Sequence, residues 1–264
     1  MSTAFNFEAF SYTLPPNRQL LAAKLIEKKW FQATSPELQQ EVLTLPDDHE
    51  GFLYDLSHRP DIVGHLTVLK LLKIVRGEFL VTPIFEVHSA TSGKTFTKEY
   101  VCWKMGAFPG IKGTLFVRAH GNITHFITIQ TDKFPVGALC YDSIGGLFQY
   151  AKGTNLDLPN KVEQLIKDKL GLQALKIQEF IDLGHIQSDN GLTPNYPQIF
   201  AAIIDGDEAG HLSAREIDPQ DREQANFRIQ VVPIQELPEY LLKVDDVFFL
   251  ATCARLLAKR VITL

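Results

Sequence analysis

The sequence predicts an α+β fold in which a mixed β-sheet packs between helices. Most of the chain reads as apolar runs of strand length, and an amphipathic helix interrupts them near the middle. In that helix Val162, Leu165, Ile166 and Leu170 recur at steps of three and four residues, and Gly171 stands just past the end. One face of the helix is therefore expected to cover the sheet.

A β-hairpin is predicted before this helix. The segment KGTLFVRAHGNITHFITIQ places two apolar runs around His120-Gly121-Asn122, where Gly121 supplies the positive φ of a tight turn. Further strands are predicted at 175–183, 199–204 and in FRIQVVPI, and an apolar helix at 241–261. The alternation of strands and helices gives the predicted mixed sheet its two helical layers.

The first part of the chain is predicted to form an N-terminal helical segment over residues 1–65. One helix is expected over 17–33, and Ser35 followed by Pro36 marks the start of a second. Two strands at 66–75 and 79–88 form a β-rich hairpin preamble over 66–104, which leaves 105–264 as the main domain. The helical segment is an appended module, a clamp on the sheet or a partner-binding arm.

The composition argues against two classes of partner, nucleic acid and membranes. The chain has 264 residues, 45% of them hydrophobic, and a formal net charge of −5, which gives no basic surface for nucleic acid. No apolar run reaches the roughly 18 residues of a membrane span, so no membrane partner is expected. Three cysteines in apolar surroundings, without C-x-x-C spacing, indicate buried thiols and a cytoplasmic protein.

The stretch from Phe134 to Leu172 resembles a known motif. A double glycine that ends a strand, a loop and an amphipathic helix closed by Gly171 and Leu172 resemble the Nudix box, G-x5-E-x7-R-E-U-x-E-E-x-G-U, where U is aliphatic. From Leu66 onward, the flanking segments are similar in order to the ADP-ribose and sugar-nucleotide pyrophosphatases of the Nudix superfamily. The resemblance implies that 105–264 forms a Nudix-like domain.

The box is degenerate. Anchored on Gly171, its arginine falls on Gln164, the glutamate directly after that arginine on Leu165 and its paired acids on Asp168 and Lys169, so Asp168 alone keeps an acid. In the family several carboxylates of this helix hold magnesium or manganese. The resemblance therefore implies a pseudoenzyme without a cofactor, and magnesium at Asp168 only if the site is active.

The ligand-binding residues predicted are basic side chains and glycines. Gly145 and Gly146 would let a phosphate approach the backbone, although a tight turn required by the fold explains them equally well. Related pyrophosphatases place a basic residue near Lys133, and Arg118 is a similar candidate, although each is also an ordinary surface residue. Lys167 could offset the charge of a diphosphate.

The catalytic residues predicted are His185 and Asp189. Both lie in GHIQSDNG, a loop that lies over the substrate in the relatives, and the pair could act as acid and base.

Two functions follow from the resemblance. The first is a Nudix-fold protein without metal-dependent pyrophosphohydrolase activity that binds a nucleotide, a nucleotide sugar or a protein partner. The alternative is an active enzyme on a nucleoside diphosphate-linked substrate. It would be either a hydrolase with other catalytic residues or a lyase similar to sugar-nucleotide 2,3-dehydratases. The segment WKMGAFPGIKG resembles a repeat of those dehydratases. The preamble implies a homodimer, because its counterpart in the pyrophosphatases exchanges contacts between subunits.

Overall fold

The chain folds into two compact units. The computed structural model describes residues 14–107, 110–147, 157–170, 176–206 and 228–263. The N-terminal unit holds Met1–Pro109 and Asp189–Tyr196, and the C-terminal unit holds Gly110–Ser188 and Pro197–Leu264. The domain boundaries predicted at 65/66 and 104/105 stay predictions.

Short helices open the N-terminal unit. They are α1 (Pro16–Ile26), α2 (Lys29–Gln32), α3 (Pro36–Leu43) and α4 (Glu50–His58), with a 3-10 turn at Asp47–His49. The single helix predicted over 17–33 is wrong, because the backbone of Lys28 is extended, with φ −79° and ψ 123°. That break lets Trp30 and Phe31 both enter the core. The predicted cap of α3 is confirmed, since the Ser35 hydroxyl accepts from Leu38 N at 3.3 Å.

These helices cover one face of a five-stranded antiparallel sheet. Its strands are β1 (Ile62–Val63), β2 (Leu66–Arg76), β3 (Leu80–Ser89), β4 (Thr95–Glu99) and β5 (Cys102–Trp103). The order is β1-β2-β3-β4, and β5 also pairs with β3. The strands predicted at 66–75 and 79–88 are confirmed, and alternate residues of β3, among them Val81, Phe85 and Val87, are buried against the helices.

Aromatic contacts join the helices to this sheet. The Trp30 and Phe85 rings meet edge to face at 5.4 Å, and Phe85 stacks on Tyr100 at 6.2 Å. The Arg59 guanidinium covers both Phe85 and Tyr100, 4.8 Å from each ring centre. Burial raises the pKa of the Tyr100 hydroxyl. This cluster closes the core at the end of α4.

The C-terminal unit contains a seven-stranded mixed sheet. Its strands are β6 (Gly110–Ala119), β7 (Asn122–Lys133), β8 (Ala138–Asp142), β9 (Ile144–Leu147), β10 (Glu179–His185), β11 (Gln198–Asp205) and β12 (Arg228–Pro233). The order is β10-β11-β6-β7-β12, with β8 on β7 and β9 on β6. The β11–β6 pair is parallel and the other pairs are antiparallel.

Helices lie on both faces of this sheet. They are α5 (Leu158–Leu170), α6 (Leu237–Leu241), which follows a 3-10 turn at Ile234–Glu236, and α7 (Val247–Ala258). Val162 and Ile166 of α5 share one buried cluster with Ile111, and Phe249 and Cys253 of α7 share another with Phe126. The predicted α+β fold, a mixed sheet between helices, is confirmed.

Several local predictions need correction. The helix predicted over 241–261 is shorter, because α6 ends at Leu241 and α7 begins only at Val247, after its N-cap Asp246, and ends at Ala258. Cys102 and Cys253 are buried as predicted, but Cys140 on β8 is only half-buried. In the β6–β7 turn, His120 as well as Gly121 has a positive φ, 51° and 81°. The prediction on Gly171 falls outside the described residues.

No helix in the described ranges is both long enough and apolar enough to span a membrane.

Replacing Gly51 by alanine should destabilise the N-terminal unit by about 1–3 kcal/mol through overpacking. A Cβ at Gly51 on α4 would lie 1.7 Å from the carbonyl oxygen of Met105, so the backbone must move. Gly77→Ala is the matched control in the same unit, since the nearest atom to its Cβ is 3.6 Å away. Urea unfolding of the two variants checks the prediction, and equal stabilities would contradict it.

Candidate functional site

The candidate site is built around Asp142, at the end of β8. Its carboxylate oxygens each lie 3.1 Å from the Nζ of Lys112 on β6, and one of them also accepts from the Nζ of Lys133 on β7. Two ammonium groups therefore meet one buried carboxylate. The three side chains together carry one net positive charge.

The sheet places Asp142 where β6 and β7 part. These two strands pair from Ala119–Asn122 as far as Leu115–Ile127. Beyond that point β8 pairs with β7, with Asp142 opposite Ile129, and β9 pairs with β6, with Ile144 opposite Gly113. The chain thus changes its partner strand at Ser143, and Asp142 lies at the gap between the strands that carry the two lysines.

Ser143 joins this carboxylate to a second one. Its backbone N–H donates to Asp142 Oδ1 at 3.0 Å and to Asp246 Oδ2 at 2.6 Å, and its hydroxyl also donates to Asp246. The other oxygen of Asp246 accepts from Phe248 N at 2.9 Å and caps α7. The start of the helix is therefore fixed to the change of partner strand in the sheet.

The pKa values of the two carboxyl groups shift in opposite directions. Burial opposes ionisation of Asp142, but the charges of Lys112 and Lys133 outweigh burial and lower its pKa. Burial raises the pKa of Asp246, and the hydrogen bonds from Ser143 only partly offset it, while the charge of Asp142 raises it further. Asp246 therefore holds a proton more tightly than Asp142 does.

Aromatic residues support the site from the α7 face. Thr128 donates to the carbonyl oxygen of Asp142 at 3.2 Å, and the Tyr240 hydroxyl donates to Thr128 at 2.9 Å. Burial raises the pKa of Tyr240 to about 12, so this hydroxyl stays a donor at neutral pH. The Tyr240 ring packs edge to face on Phe126 and Phe249.

Two of the predicted ligand residues belong to this cluster. Lys133 pairs with Asp142, and Gly145 lies opposite Lys112 in the β6–β9 register. A Cβ at Gly145 would lie 2.4 Å from the Ile111 carbonyl oxygen and 2.5 Å from the Cδ of Lys112, so only glycine allows this approach. Gly146 faces α5 instead, where a Cβ would lie 2.6 Å from Leu165. Both glycines lie inside β9, so the predicted turn is wrong.

The other predicted ligand residues lie elsewhere in the C-terminal unit. Arg118 forms an ion pair with Glu179 at 2.9 Å, and Lys167 forms one with Glu163 at 2.7 Å within α5. Hydrogen bonding from Lys167 lowers the pKa of Glu163. Their predicted contact with a ligand stays a prediction.

The predicted catalytic pair falls in two different units. The carbonyl of His185, in the C-terminal unit, accepts from Arg255 Nη2 at 2.8 Å. The carboxylate of Asp189, in the N-terminal unit, accepts from Gly191 N at 2.9 Å and Leu192 N at 3.1 Å within its own loop. Their acid and base roles stay predictions.

The predicted metal ligand lacks companion ligands in the described structure. Asp168 accepts from Gln164 Nε2 at 2.7 Å on the exposed face of α5. Across the described residues, no group of three or more histidine, cysteine, aspartate or glutamate side chains could hold a metal ion. With the Lys167 ammonium paired to Glu163 on the same helix, the residues described here do not fit magnesium.

Sequence reasoning missed Lys112, Asp142, Ser143 and Asp246. Two signals could have pointed to them. Lys112 stands between Ile111 and Gly113 in a run that reads as a buried strand. Asp246 precedes an apolar helical run, which is the place of an N-cap.

Comparisons with known proteins show a likeness to solved structures. No family model matches the chain, and no curated protein matches it. A solved structure described as "Crystal structure of ADP compounds hydrolase" is similar, with a TM-score of 0.45 and 10% sequence identity. The similarity covers 68% of this chain and 86% of that chain.

The opposite pKa shifts predict how stability depends on pH. Because the pKa of folded Asp246 is raised, its stabilising contribution is complete below the unfolded value of about 3.9 and is lost as pH rises through the folded value. Asp142 acts in the opposite sense, since its contribution is lost as pH falls through its lowered pKa. Asp246→Asn keeps a good capping residue but removes the charge.

We therefore expect Asp246→Asn to gain stability relative to the wild type as pH rises from about 4 to about 7, because the variant escapes the cost of ionising Asp246. Asp245→Asn, at the exposed neighbouring position, is the control and should follow the wild type. Urea unfolding at several pH values measures the difference. Parallel curves for Asp246→Asn and the wild type would contradict the assignment.

Proposed function

We propose that the C-terminal unit binds a nucleotide or nucleotide sugar through its diphosphate, and that it lacks metal-dependent pyrophosphohydrolase activity. One observation carries the proposal, namely the two lysine ammonium groups that share the single carboxylate of Asp142. The surplus positive charge suits an anionic ligand. The absence of any basic excess in the whole chain argues for a small local site.

The exposure of these side chains supports a ligand that approaches from solvent. The side chains of Lys112 and Lys133 are 28% and 36% exposed, whereas that of Asp142 is 10% exposed. The lysines are therefore more accessible to solvent than the carboxylate is. Because the glycine at 145 leaves room for Lys112, this lysine can lie flat against β9 and still present its ammonium group to a phosphate.

The carboxylates of the unit argue against metal-assisted cleavage. That mechanism needs several carboxylates around a magnesium ion that neutralises the diphosphate and activates water. On α5, Asp168 is bonded to Gln164, and the charge of Glu163 is already neutralised by Lys167. In this proposal the lysines neutralise the ligand without a metal.

A second candidate function is an enzyme that acts on a nucleoside diphosphate-linked substrate. The observation that favours it is the pair of carboxyl groups on Ser143, whose pKa values are displaced in opposite directions. Such a pair is the usual arrangement of an acid and a base. Turnover of UDP-glucose that Asp246→Asn abolishes while binding is retained would favour this function.

Binding of nucleotide sugars should depend on both lysines. Lys112→Gln and Lys133→Gln should each weaken binding of UDP-glucose or ADP-ribose about tenfold, the loss expected when one charge-assisted hydrogen bond is removed. Lys161→Gln, an exposed lysine on α5, is the control and should bind like the wild type. Calorimetric titration measures the affinities.

A thermal-shift screen tests the proposal as a whole. A ligand at 100 times its dissociation constant stabilises the folded state by about 2.7 kcal/mol, which is readily measured. If no nucleotide or nucleotide sugar shifts the unfolding temperature, the proposal is wrong and a protein partner becomes the better candidate.

Magnesium should not produce hydrolysis. We expect no magnesium-dependent cleavage of ADP-ribose, and Asp168→Ala should leave ligand affinity nearly unchanged, because this carboxylate has no companion ligands among the described residues. Phosphate release assays and calorimetry check the two outcomes. Cleavage that Asp168→Ala abolishes would instead assign a pyrophosphohydrolase.

A further inference from the structure

We infer that Asp142 occupies the place of a ligand oxyanion in the ligand-free protein, and that a diphosphate displaces it from the two lysines while Asp142 takes up a proton. This inference rests on the proposed function and adds to it a class of ligand and a coupled proton. The ligand is a diphosphate diester, whose two negative charges replace the single charge of Asp142 as the partners of Lys112 and Lys133.

The contacts of Asp142 are those of a bound oxyanion. Both of its oxygens lie 3.1 Å from Lys112 Nζ, Lys133 donates to one of them, and Ser143 N donates to the other at 3.0 Å. Two ammonium groups and one backbone N–H are the donors that proteins use for phosphate. The carboxylate thus satisfies a set of donors that a phosphate group would also satisfy.

The lysines can leave Asp142, whereas Asp142 cannot follow them. Each lysine has a flexible four-carbon stem and a partly exposed side chain. Asp142 is held at its backbone by the hydroxyl of Thr128 and at its carboxylate by Ser143 N. A ligand at the surface therefore draws the ammonium groups outward and leaves the carboxylate behind.

The charges around Asp142 then favour its neutral form. The charged groups that face it are Lys112 from β6, Lys133 from β7 and Asp246 from the start of α7, while the Tyr240 hydroxyl reaches it only through Thr128. Burial opposes its charge, and the lysines offset this. With the lysines bound to a diphosphate, burial and the negative charge of the ligand both favour protonation of Asp142.

The proton comes from the solvent, and both lysines stay protonated, so the exchange changes no covalent bond except the new O–H of Asp142. A ligand with one negative charge would replace the charge of Asp142 by an equal one. It would not offset the free energy needed to separate Asp142 from the lysines and protonate it. A diphosphate diester adds a second charge. Its phosphates do not titrate between about pH 5 and about pH 8, so any pH dependence there belongs to the protein.

Calorimetric titration with UDP-glucose tests this. At about pH 6, titrations in two buffers of different ionisation enthalpy give the number of protons taken up per ligand bound. We expect uptake of a fraction of a proton by the wild type, and affinity that rises as pH falls toward about 5. Asp142→Asn should bind UDP-glucose about tenfold more tightly than the wild type, with no proton uptake at this position, because the internal competitor is gone.

Asp132→Asn is the matched control. It removes the same negative charge next to Lys133 but at an exposed position, so it should strengthen binding only slightly and leave proton uptake unchanged. Binding by the wild type without proton uptake, or weaker binding by folded Asp142→Asn, would overturn the inference and leave the proposed function standing. If Asp142→Asn does not fold, the number of protons that the wild type takes up per ligand bound decides whether the inference holds. Absence of binding by UDP-glucose and by every other nucleotide and nucleotide sugar of the thermal-shift screen would overturn the proposed function itself.

Discussion

Neutralisation of the buried Asp142 carboxylate is the constraint on which the C-terminal unit depends. An ionised carboxyl group inside a protein is tolerated only when opposite charges and hydrogen-bond donors surround it. Here the donors come from β6, β7 and the Ser143 amide, so the sheet must part where Asp142 enters it. Ser143 then ties Asp246 to the same point, and the position of α7 follows.

The balance of charges separates this cluster from the other basic residues of the unit. Arg118 and Lys167 each have one carboxylate partner, so their charges are matched locally. Lys112 and Lys133 share one, and the second carboxyl group nearby, Asp246, has a raised pKa. An anion that binds here gains an interaction with an incompletely neutralised pair, which is the physical basis of the proposed function.

Local sequence signals predicted elements whose formation depends on neighbouring residues. The periodicity of α5, the Ser35 cap and the turn at Gly121 all act within a few residues, and each agrees with the structure. Predictions failed where contacts between residues far apart in the sequence determine the local structure. The break at Lys28 exists because Trp30 and Phe31 both fit a core made with Phe85, and Gly145 with Gly146 form a strand because β6 lies beside them.

The sequence by itself determined the alternation of strands and helices, the apolar face of α5 and the identity of Lys133 and Gly145 as candidates. Only the tertiary structure decided which groups meet them. Lys112 and Asp142 are 30 residues apart, and Ser143 and Asp246 are 103 apart. Such contacts depend on strand register and helix position, which are set by burial across the whole unit, and no short pattern in the chain records them.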